Sequence, residues 1–204
     1  MENAIAAHPR GTMKAIVQDG YGSADVLRLR DIEKPVVSDQ DVLVRVRAAS
    51  VNALDWHVVR GGPFLHMMAF LLRQPKINVR GVDVAGHVEA VGKNVTRLKP
   101  GDEVFGSARG AFAEYVAAKE DRFVPKPRRL TFEQAAAVGI AGVTALQGLR
   151  DKARLRPGQR VLIHGAGGGV GTFAVQIAKA LGAHVTAVKA RGTWTSSARS
   201  APMR

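Results

Sequence analysis

This 204-residue sequence predicts a β-rich domain followed by an α/β domain built as a doubly wound parallel sheet. Three observations support this fold class. Short apolar strands separated by Gly and Pro turns dominate up to about residue 130, and helical periodicity dominates after it. A glycine-rich turn then joins an apolar strand to an amphipathic helix at residues 165–171. We therefore expect domains at 13–130 and 131–188, followed by a basic tail at 189–204.

The first domain is predicted from strand periodicity. In the segment Asp41–Val51, Val42, Val44 and Val46 alternate with Leu43 and two arginines, which is the pattern of a half-buried strand. Such a series of short strands indicates a barrel or a sandwich. The other expected strands are short apolar runs that end in turn residues: Met13–Gln18, Val26–Ile32, Val82–Val91, Glu103–Gly106 and Ala111–Ala117.

The second domain is predicted from helix and strand boundaries. Thr131 can cap a helix because Gln134 follows three residues later. Apolar residues at helical spacing indicate a further helix from Val170 to Leu181, which Gly182 would end. Strands are expected on both sides of that helix, at Arg160–His164 and His184–Val188. A strand, a helix and a second strand in this order indicate a parallel pair.

The turn before this helix points to a phosphate-containing ligand. Gly165, Gly168 and Gly171 fit a G-x-x-G-x-x-G spacing, and Ala166 offers the alternative A-x-G-x-x-G. Glycine lets the backbone approach a ligand closely, and a helix N-terminus offers N–H groups and the positive end of the helix dipole. The two interpretations are a dinucleotide site and a purely structural turn.

Composition excludes several classes of function. The chain contains no cysteine, so neither a disulfide nor a thiolate metal site can form. The apolar runs are too short to span a membrane and no secretory signal is evident, so we expect a cytoplasmic protein without stable membrane insertion. The net charge of +13 comes from scattered basic residues, and aromatics make up only 5% of the chain. We therefore expect no nucleic-acid partner.

Several short motifs occur in an order that indicates a family. They are Ala49–Asp55, Gly81–Gly86, Val91-Gly92, Lys99–Val104, Gly110–Tyr115 and the glycine turn. Over residues 13–188 the chain resembles the medium-chain dehydrogenase/reductase superfamily, in its zinc-independent quinone-reductase-like branch. The resemblance implies a GroES-like β-barrel that carries the substrate site, followed here by an incomplete Rossmann domain. It also implies hydride transfer from NADPH, with NADH as the alternative cofactor, to a quinone or a related enone or carbonyl compound. Full-length members of the family often form homodimers.

The resemblance also bears on metal binding. Zinc alcohol dehydrogenases of the superfamily have a cysteine where this chain has Asn52, and Gly-His-Glu where it has Gly81-Val82-Asp83. Valine cannot bind zinc, and a zinc site normally needs three ligands of Cys, His or carboxylate type. His57, His66 and His87 lack the i, i+4 spacing of helix-borne ligands. We therefore expect no metal site.

The resemblance implies both catalytic and cofactor-binding residues. Asn52 is expected near the nicotinamide, where it would polarise the hydride acceptor, and Asp55 is expected at the start of a helix Leu54–Arg60. The structural alternatives are an N-cap for Asn52 and first-turn stabilisation for Asp55. Thr144 matches a position near the cofactor, with a bond to its own helix as the alternative. The expected cofactor-binding residues are Asn52, Thr144, Gly165, Ala166, Gly168, Gly169, Val170 and Gly171.

The function that these observations favour is that of an oxidoreductase of the quinone-reductase type. An enoyl reductase of the same superfamily is one alternative, and a non-catalytic binding module is another. The apolar segment Phe64–Arg73 is expected either to line a pocket for an apolar substrate or to pack as a helix against the barrel.

The last 16 residues depart from the family pattern. The segment 189–204 contains four basic residues, no acidic residue and no hydrophobic period. One hypothesis is a frameshift near Val188 that leaves this tail out of frame, and the other is a natural disordered basic tail. Because only the first β-α-β unit of a doubly wound sheet precedes the tail, we expect weak or absent turnover and some exposed apolar surface.

Overall fold

The structure is a computed structural model that describes residues 11–61 and 79–188. Contacts divide the chain into two compact units, one ending at Val143 and the other beginning at Thr144. The sequence analysis put the domain boundary near residue 130, so the contacts group the residues between 130 and 143 with the first unit. The apolar segment Phe64–Arg73 and the tail 189–204 lie outside the described residues.

The first unit contains an antiparallel pair near its start. Strand β1 (Thr12–Gln18) pairs along its whole length with strand β2 (Leu27–Glu33). Both predicted strands are confirmed to within a residue. Alternate residues of β1 are buried, among them Met13, Ala15 and Val17, which is the burial pattern of a strand with one covered face.

A five-stranded antiparallel sheet forms the rest of the β-structure in this unit. Its spatial order is β6-β3-β4-β5-β7. Most of the predicted strands are confirmed to within a residue or two. The strands are β3 (Asp41–Ser50), β4 (Asp83–Val91), β5 (Glu103–Ser107), β6 (Tyr115–Lys119) and β7 (Phe123–Pro125).

The predicted bounds of β6 were wrong. A strand was expected over Ala111–Ala117, but the ladder with β3 runs over Tyr115–Lys119. The residues before it pair elsewhere: the carbonyl of Phe112 accepts the Ile16 N–H at 2.8 Å, and Ala113 forms an isolated bridge with Ala15. The chain therefore pairs first with β1, at Phe112 and Ala113, and then with β3, from Tyr115 onward. The local sequence does not show where the pairing partner changes.

The sheet buries one main hydrophobic cluster. Its fully buried members include Val42, Val44, Val84, Val104 and Phe123. The expected alternation of buried and exposed residues in β3 is only partly observed. Leu43 is buried like its neighbours Val42 and Val44, so the beginning of the strand is covered on both faces.

Three helices complete the first unit and lead out of it. They are α1 (Ala53–Arg60), α2 (Phe132–Ala136) and α3 (Gly139–Leu146). The predicted cap of α2 is confirmed: the Gln134 N–H donates to Thr131 Oγ1 at 3.2 Å, and the Thr131 N–H donates to Gln134 Oε1 at 3.0 Å. A π-helical segment, Gln147–Lys152, continues from α3 into the second unit.

The second unit contains the predicted strand–helix–strand motif. Strand β8 (Arg160–His164) pairs in parallel with strand β9 (His184–Val188), and helix α4 (Gly169–Ala180) connects them. Gly182 follows the helix at φ +76°, as expected for a C-terminal glycine. The core of the unit is built from Ala145, Leu149, Ile163, Ala174 and Ala178. Within the described residues, no helix is both long and apolar enough to cross a membrane.

Candidate functional site

Asn52 lies at the junction between β3 and α1. Its backbone is extended, with φ −111° and ψ 158°, and it is the N-cap residue of the helix. The carboxylate of Asp55 accepts the Asn52 backbone N–H at 2.7 Å. The structure therefore brings these two predicted residues together, and the capping function that was considered for Asn52 is present.

Asp83 is a further member of this cluster, and the sequence analysis did not assign it a role. It opens strand β4 and has no exposed surface. Its carboxylate accepts hydrogen bonds from Asn52 Nδ2 at 3.1 Å and from Ser107 Oγ at 2.9 Å, with Ser50 Oγ at 3.4 Å. The signal in the sequence is an acidic residue directly before the small and apolar residues Val84-Ala85-Gly86, because a charge that is buried there needs several donors.

Helix α3 supplies another donor to Asp83. The N–H of Ile140, in the first turn of the helix, lies 3.0 Å and 2.9 Å from the two carboxylate oxygens. The preceding residue is Gly139, where an added Cβ would overlap Asp83 Oδ1 and lie 2.6 Å from Cγ. A residue with a side chain would therefore separate the helix from the carboxylate. The positive end of the helix dipole favours the negative charge of Asp83 in this position.

The electrostatics of the cluster act on Asp55 and on a neighbouring arginine. Burial raises the pKa of Asp55, and the charge of Asp83 adds to this, whereas the Asn52 N–H and the charge of Arg80 oppose it. Burial lowers the pKa of Arg80, against the influence of Tyr21 and Asp55. Two carboxylates and a partly desolvated guanidinium thus surround the N-terminus of α1.

The glycine turn of the second unit is the other candidate site. Gly165 has φ +77°, which favours glycine, and its carbonyl accepts the Gly168 N–H at 3.0 Å. At Gly171 an added Cβ would overlap the Gly165 carbonyl oxygen and lie 2.7 Å from the Ala166 Cα. Helix and turn therefore pack directly on each other. The predicted residues Gly165, Ala166, Gly168, Gly169, Val170 and Gly171 all lie in this turn or in the first turn of α4.

The outer side of the turn is open. An added Cβ would meet nothing within 4 Å at Gly165, and only the Gly165 carbonyl oxygen, at 3.5 Å, at Gly168. Gly168 is the N-cap of α4 and contributes no side-chain cap, and the first N–H groups of a helix have no partner inside it. This is the arrangement that binds the phosphates of a dinucleotide at a helix N-terminus.

The remaining predicted residues are placed separately. Thr144 is exposed on α3 and begins the second unit. Among the described residues, no three His, Cys, Asp or Glu side chains are grouped closely enough to hold a metal ion. His66 falls in the stretch 62–78, for which no structure is described.

Comparisons with known proteins support the predicted family resemblance. Residues 38–128 match the alcohol dehydrogenase GroES-like domain. The quinone oxidoreductase of Sus scrofa is 42% identical over 176 residues, which is 85% of this chain and 51% of that protein. These matches support a quinone oxidoreductase-like protein of the medium-chain dehydrogenase/reductase superfamily. The predicted resemblance and fold class are thereby confirmed, with quinone oxidoreductases as relatives.

Solved structures of the superfamily have the same fold. The quinone oxidoreductase from Coxiella burnetii matches with a TM-score of 0.81 at 35% identity, over 89% of this chain and 57% of that one. The CurK enoyl reductase matches with a TM-score of 0.80 at 29% identity, over 89% of this chain and 55% of that one. The chain spans about half the length of the quinone oxidoreductase relatives that it matches.

Proposed function

We propose that this chain carries cofactor- and substrate-binding residues of a reductase that transfers hydride from NADPH to a quinone, without zinc. The observation that supports the proposal best is the open glycine turn at the N-terminus of α4, in a chain whose relatives are quinone oxidoreductases. The bound nicotinamide would supply the hydride, and the protein would supply binding, orientation and electrostatics.

The roles of the chain's own residues follow from their positions. The N–H groups of Gly169, Val170 and Gly171 would bind the pyrophosphate, and the missing side chains at Gly165 and Gly168 leave room for it. Asn52 is proposed to contact the nicotinamide, with Asp55 holding its backbone through the 2.7 Å hydrogen bond. Thr144 is proposed to lie near the cofactor, as the family resemblance implies.

The proposal that no zinc takes part rests on residue types. Asn52 and Val82 occupy the positions at which zinc enzymes of the superfamily have ligands, and the chain contains no cysteine. Quinones accept hydride readily, so polarisation by a metal is not required. Treatment with a strong chelator should leave NADPH binding unchanged and metal analysis should find no bound zinc, whereas stoichiometric zinc in the purified chain would contradict this part of the proposal.

The binding step is the first property to test. NADPH and NADH should be titrated against the purified 204-residue chain, with nicotinamide fluorescence as the signal. We expect saturable binding of NADPH that is weakened by Gly171→Ala, because the added Cβ displaces the turn from the helix. Gly148→Ala, at a glycine with no proposed contact to the cofactor and with nothing within 4 Å of the added Cβ, is the control. Absence of binding of either cofactor would overturn the proposal.

An enoyl reductase is the second candidate, because the CurK enoyl reductase has nearly the same TM-score as the quinone oxidoreductase structure. Turnover measured with a quinone and with an α,β-unsaturated thioester separates the two reactions. NADPH binding without turnover of either compound would favour the non-catalytic binding module.

A further inference from the structure

The buried carboxylate of Asp83 determines which end of the Asn52 amide faces inward. Asn52 Nδ2 lies 3.1 Å from Asp83 Oδ2 and 3.3 Å from Ser50 Oγ, so both hydrogens of the amide group have acceptors. An ionised carboxylate can accept hydrogen bonds but cannot donate them. The NH₂ group must therefore point to Asp83, since the opposite orientation would place two acceptors against each other.

Asp83 is itself held firmly in place. Ser107 Oγ and the Ile140 N–H donate to it from β5 and α3, and the absence of a side chain at Gly139 lets α3 approach. The carboxylate has no exposed surface, so water does not compete for these hydrogen bonds. A group fixed by donors from two other elements can impose one rotamer on the side chain that it binds.

We propose that Asp83 is a positioning residue that makes Asn52 a hydrogen-bond acceptor toward a bound ligand. The amide nitrogen is committed to Asp83 and Ser50, and Oδ1 accepts the Asp55 N–H in the capping box of α1. A carbonyl oxygen has two lone pairs, so the second lone pair of Oδ1 remains for a ligand. This role differs from polarisation of a substrate carbonyl, which would need a donor.

The ligand group that Asn52 binds must then carry an N–H or O–H donor. This part of the inference rests on the proposed function. Two chemical sources fit: the carboxamide N–H of a nicotinamide, and the phenolic O–H of a hydroquinone. Both would be recognised by the same acceptor, and neither would be recognised by an amide turned the other way.

The orientation can be tested without any ligand. In the ¹⁵N-labelled chain, the Asn52 side-chain NH₂ signals are assigned by their absence in Asn52→Ala, and their hydrogen exchange is measured. We expect strong protection, retained in Ser107→Ala, which removes a donor to Asp83 that does not touch Asn52. Ser50→Ala and Asp83→Asn each remove one acceptor, so each should release one of the two protons. Exchange in the unmodified chain at the rate of an exposed asparagine would overturn the proposal, even if Asp83→Asn does not fold.

The ligand chemistry is tested with matched compounds. The 3-acetylpyridine analogue of NADPH lacks the carboxamide N–H, and hydroquinone dimethyl ether lacks the phenolic O–H. A loss of about tenfold in affinity for one of these compounds, relative to its parent and absent in Asn52→Ala, identifies the donor. Equal affinities in both pairs would overturn the acceptor role. If NADPH and hydroquinone both fail to bind, the proposed function fails, and the exchange rates still decide the orientation.

Discussion

At the scale of single residues, Asp83 links Asn52 to the rest of the first unit. Four groups donate to its carboxylate: two serine hydroxyls, one amide and one backbone N–H. Such a set compensates the loss of hydration that burial imposes on a charge. Removal of the Asp83 charge should therefore lower the stability of the protein more than removal of any one of its donors.

We expect Asp83→Asn to lower the free energy of unfolding by about 2–4 kcal/mol, because its amide would place N–H groups against donors in a buried site. Ser107→Ala removes one donor and should lower it by about 1 kcal/mol. Urea unfolding followed by circular dichroism measures both values. Equal effects of the two substitutions would show that the charge of Asp83 contributes little.

Asp55 gives the protein a pH-dependent contribution to stability. Its pKa is raised above the ordinary value of 3.8, mainly by burial, so the folded state binds this proton more tightly than the unfolded state does. The contribution therefore favours folding at low pH and is lost as the pH rises from about 4 through the pKa of the folded state.

Asp55→Asn tests this dependence, because asparagine keeps an oxygen that can accept the Asn52 N–H. The stability of the unmodified chain relative to the variant should fall as the pH is raised from about 4 to 7. Urea unfolding at several pH values measures the difference. A difference that grows with pH would mean that the folded state lowers the pKa of this carboxyl.

Sequence alone predicted Asn52 and Asp55 but not the role of Asp83, and the reason lies in chain distance. Asn52 and Asp55 are three residues apart, so helix-capping chemistry relates them directly. The donors to Asp83 come from three distant parts of the chain, at Ser50, Ser107 and Ile140. Only the folded sheet brings them together.

At the scale of elements, the glycine turn and helix α4 form one packed unit. Gly171→Ala should lower the free energy of unfolding by about 2–4 kcal/mol, since its Cβ overlaps the backbone of Gly165 and Ala166. Gly168→Ala should stay within about 1 kcal/mol, because it changes only the N-cap residue. Thermal unfolding of both variants measures the difference. A tolerated Gly171→Ala would mean that the turn adjusts without loss.

Helix α3 depends on glycine for a different reason. Gly139→Ala should lower the free energy of unfolding by about 2 kcal/mol or more, because the added Cβ overlaps Asp83 Oδ1 and moves the helix from the carboxylate. Gly148→Ala is the control, since a Cβ there meets nothing within 4 Å and alanine favours helical structure. Urea unfolding measures both effects. Equal stabilities of the two variants would contradict a tight contact between Asp83 and α3.

The elements themselves were largely predictable, with informative exceptions. Periodicity located β3 and α4, and the short apolar runs on both sides of α4 located β8 and β9. The strand predicted at Ala111–Ala117 was displaced because Phe112 and Ala113 contact β1 rather than β3. This change from one pairing strand to another depends on tertiary structure, so the local sequence does not indicate it.

At the scale of the whole molecule, the second unit has one covered and one open sheet face. Val161 and Ile163 of β8 pack toward helix α4 in the core of the unit. Leu162 is 66% exposed, and Val188 of β9, on the same face, is 39% exposed. Apolar side chains on an open sheet face favour association between molecules.

The exposed apolar side chains on this open face predict self-association, which can be measured separately from the free energy of unfolding. Leu162→Thr should reduce self-association while changing the free energy of unfolding by about 0.5 kcal/mol or less, because the side chain packs against little. Val161→Thr, one residue away on the covered face, should leave self-association unchanged and lower that free energy by about 1 kcal/mol, because it places a hydroxyl at a partly buried position against the core. Sedimentation velocity at several concentrations and urea unfolding measure the two quantities. If both variants associate like the unmodified chain, contacts between molecules arise elsewhere, and the strand pair is stable with one face in water.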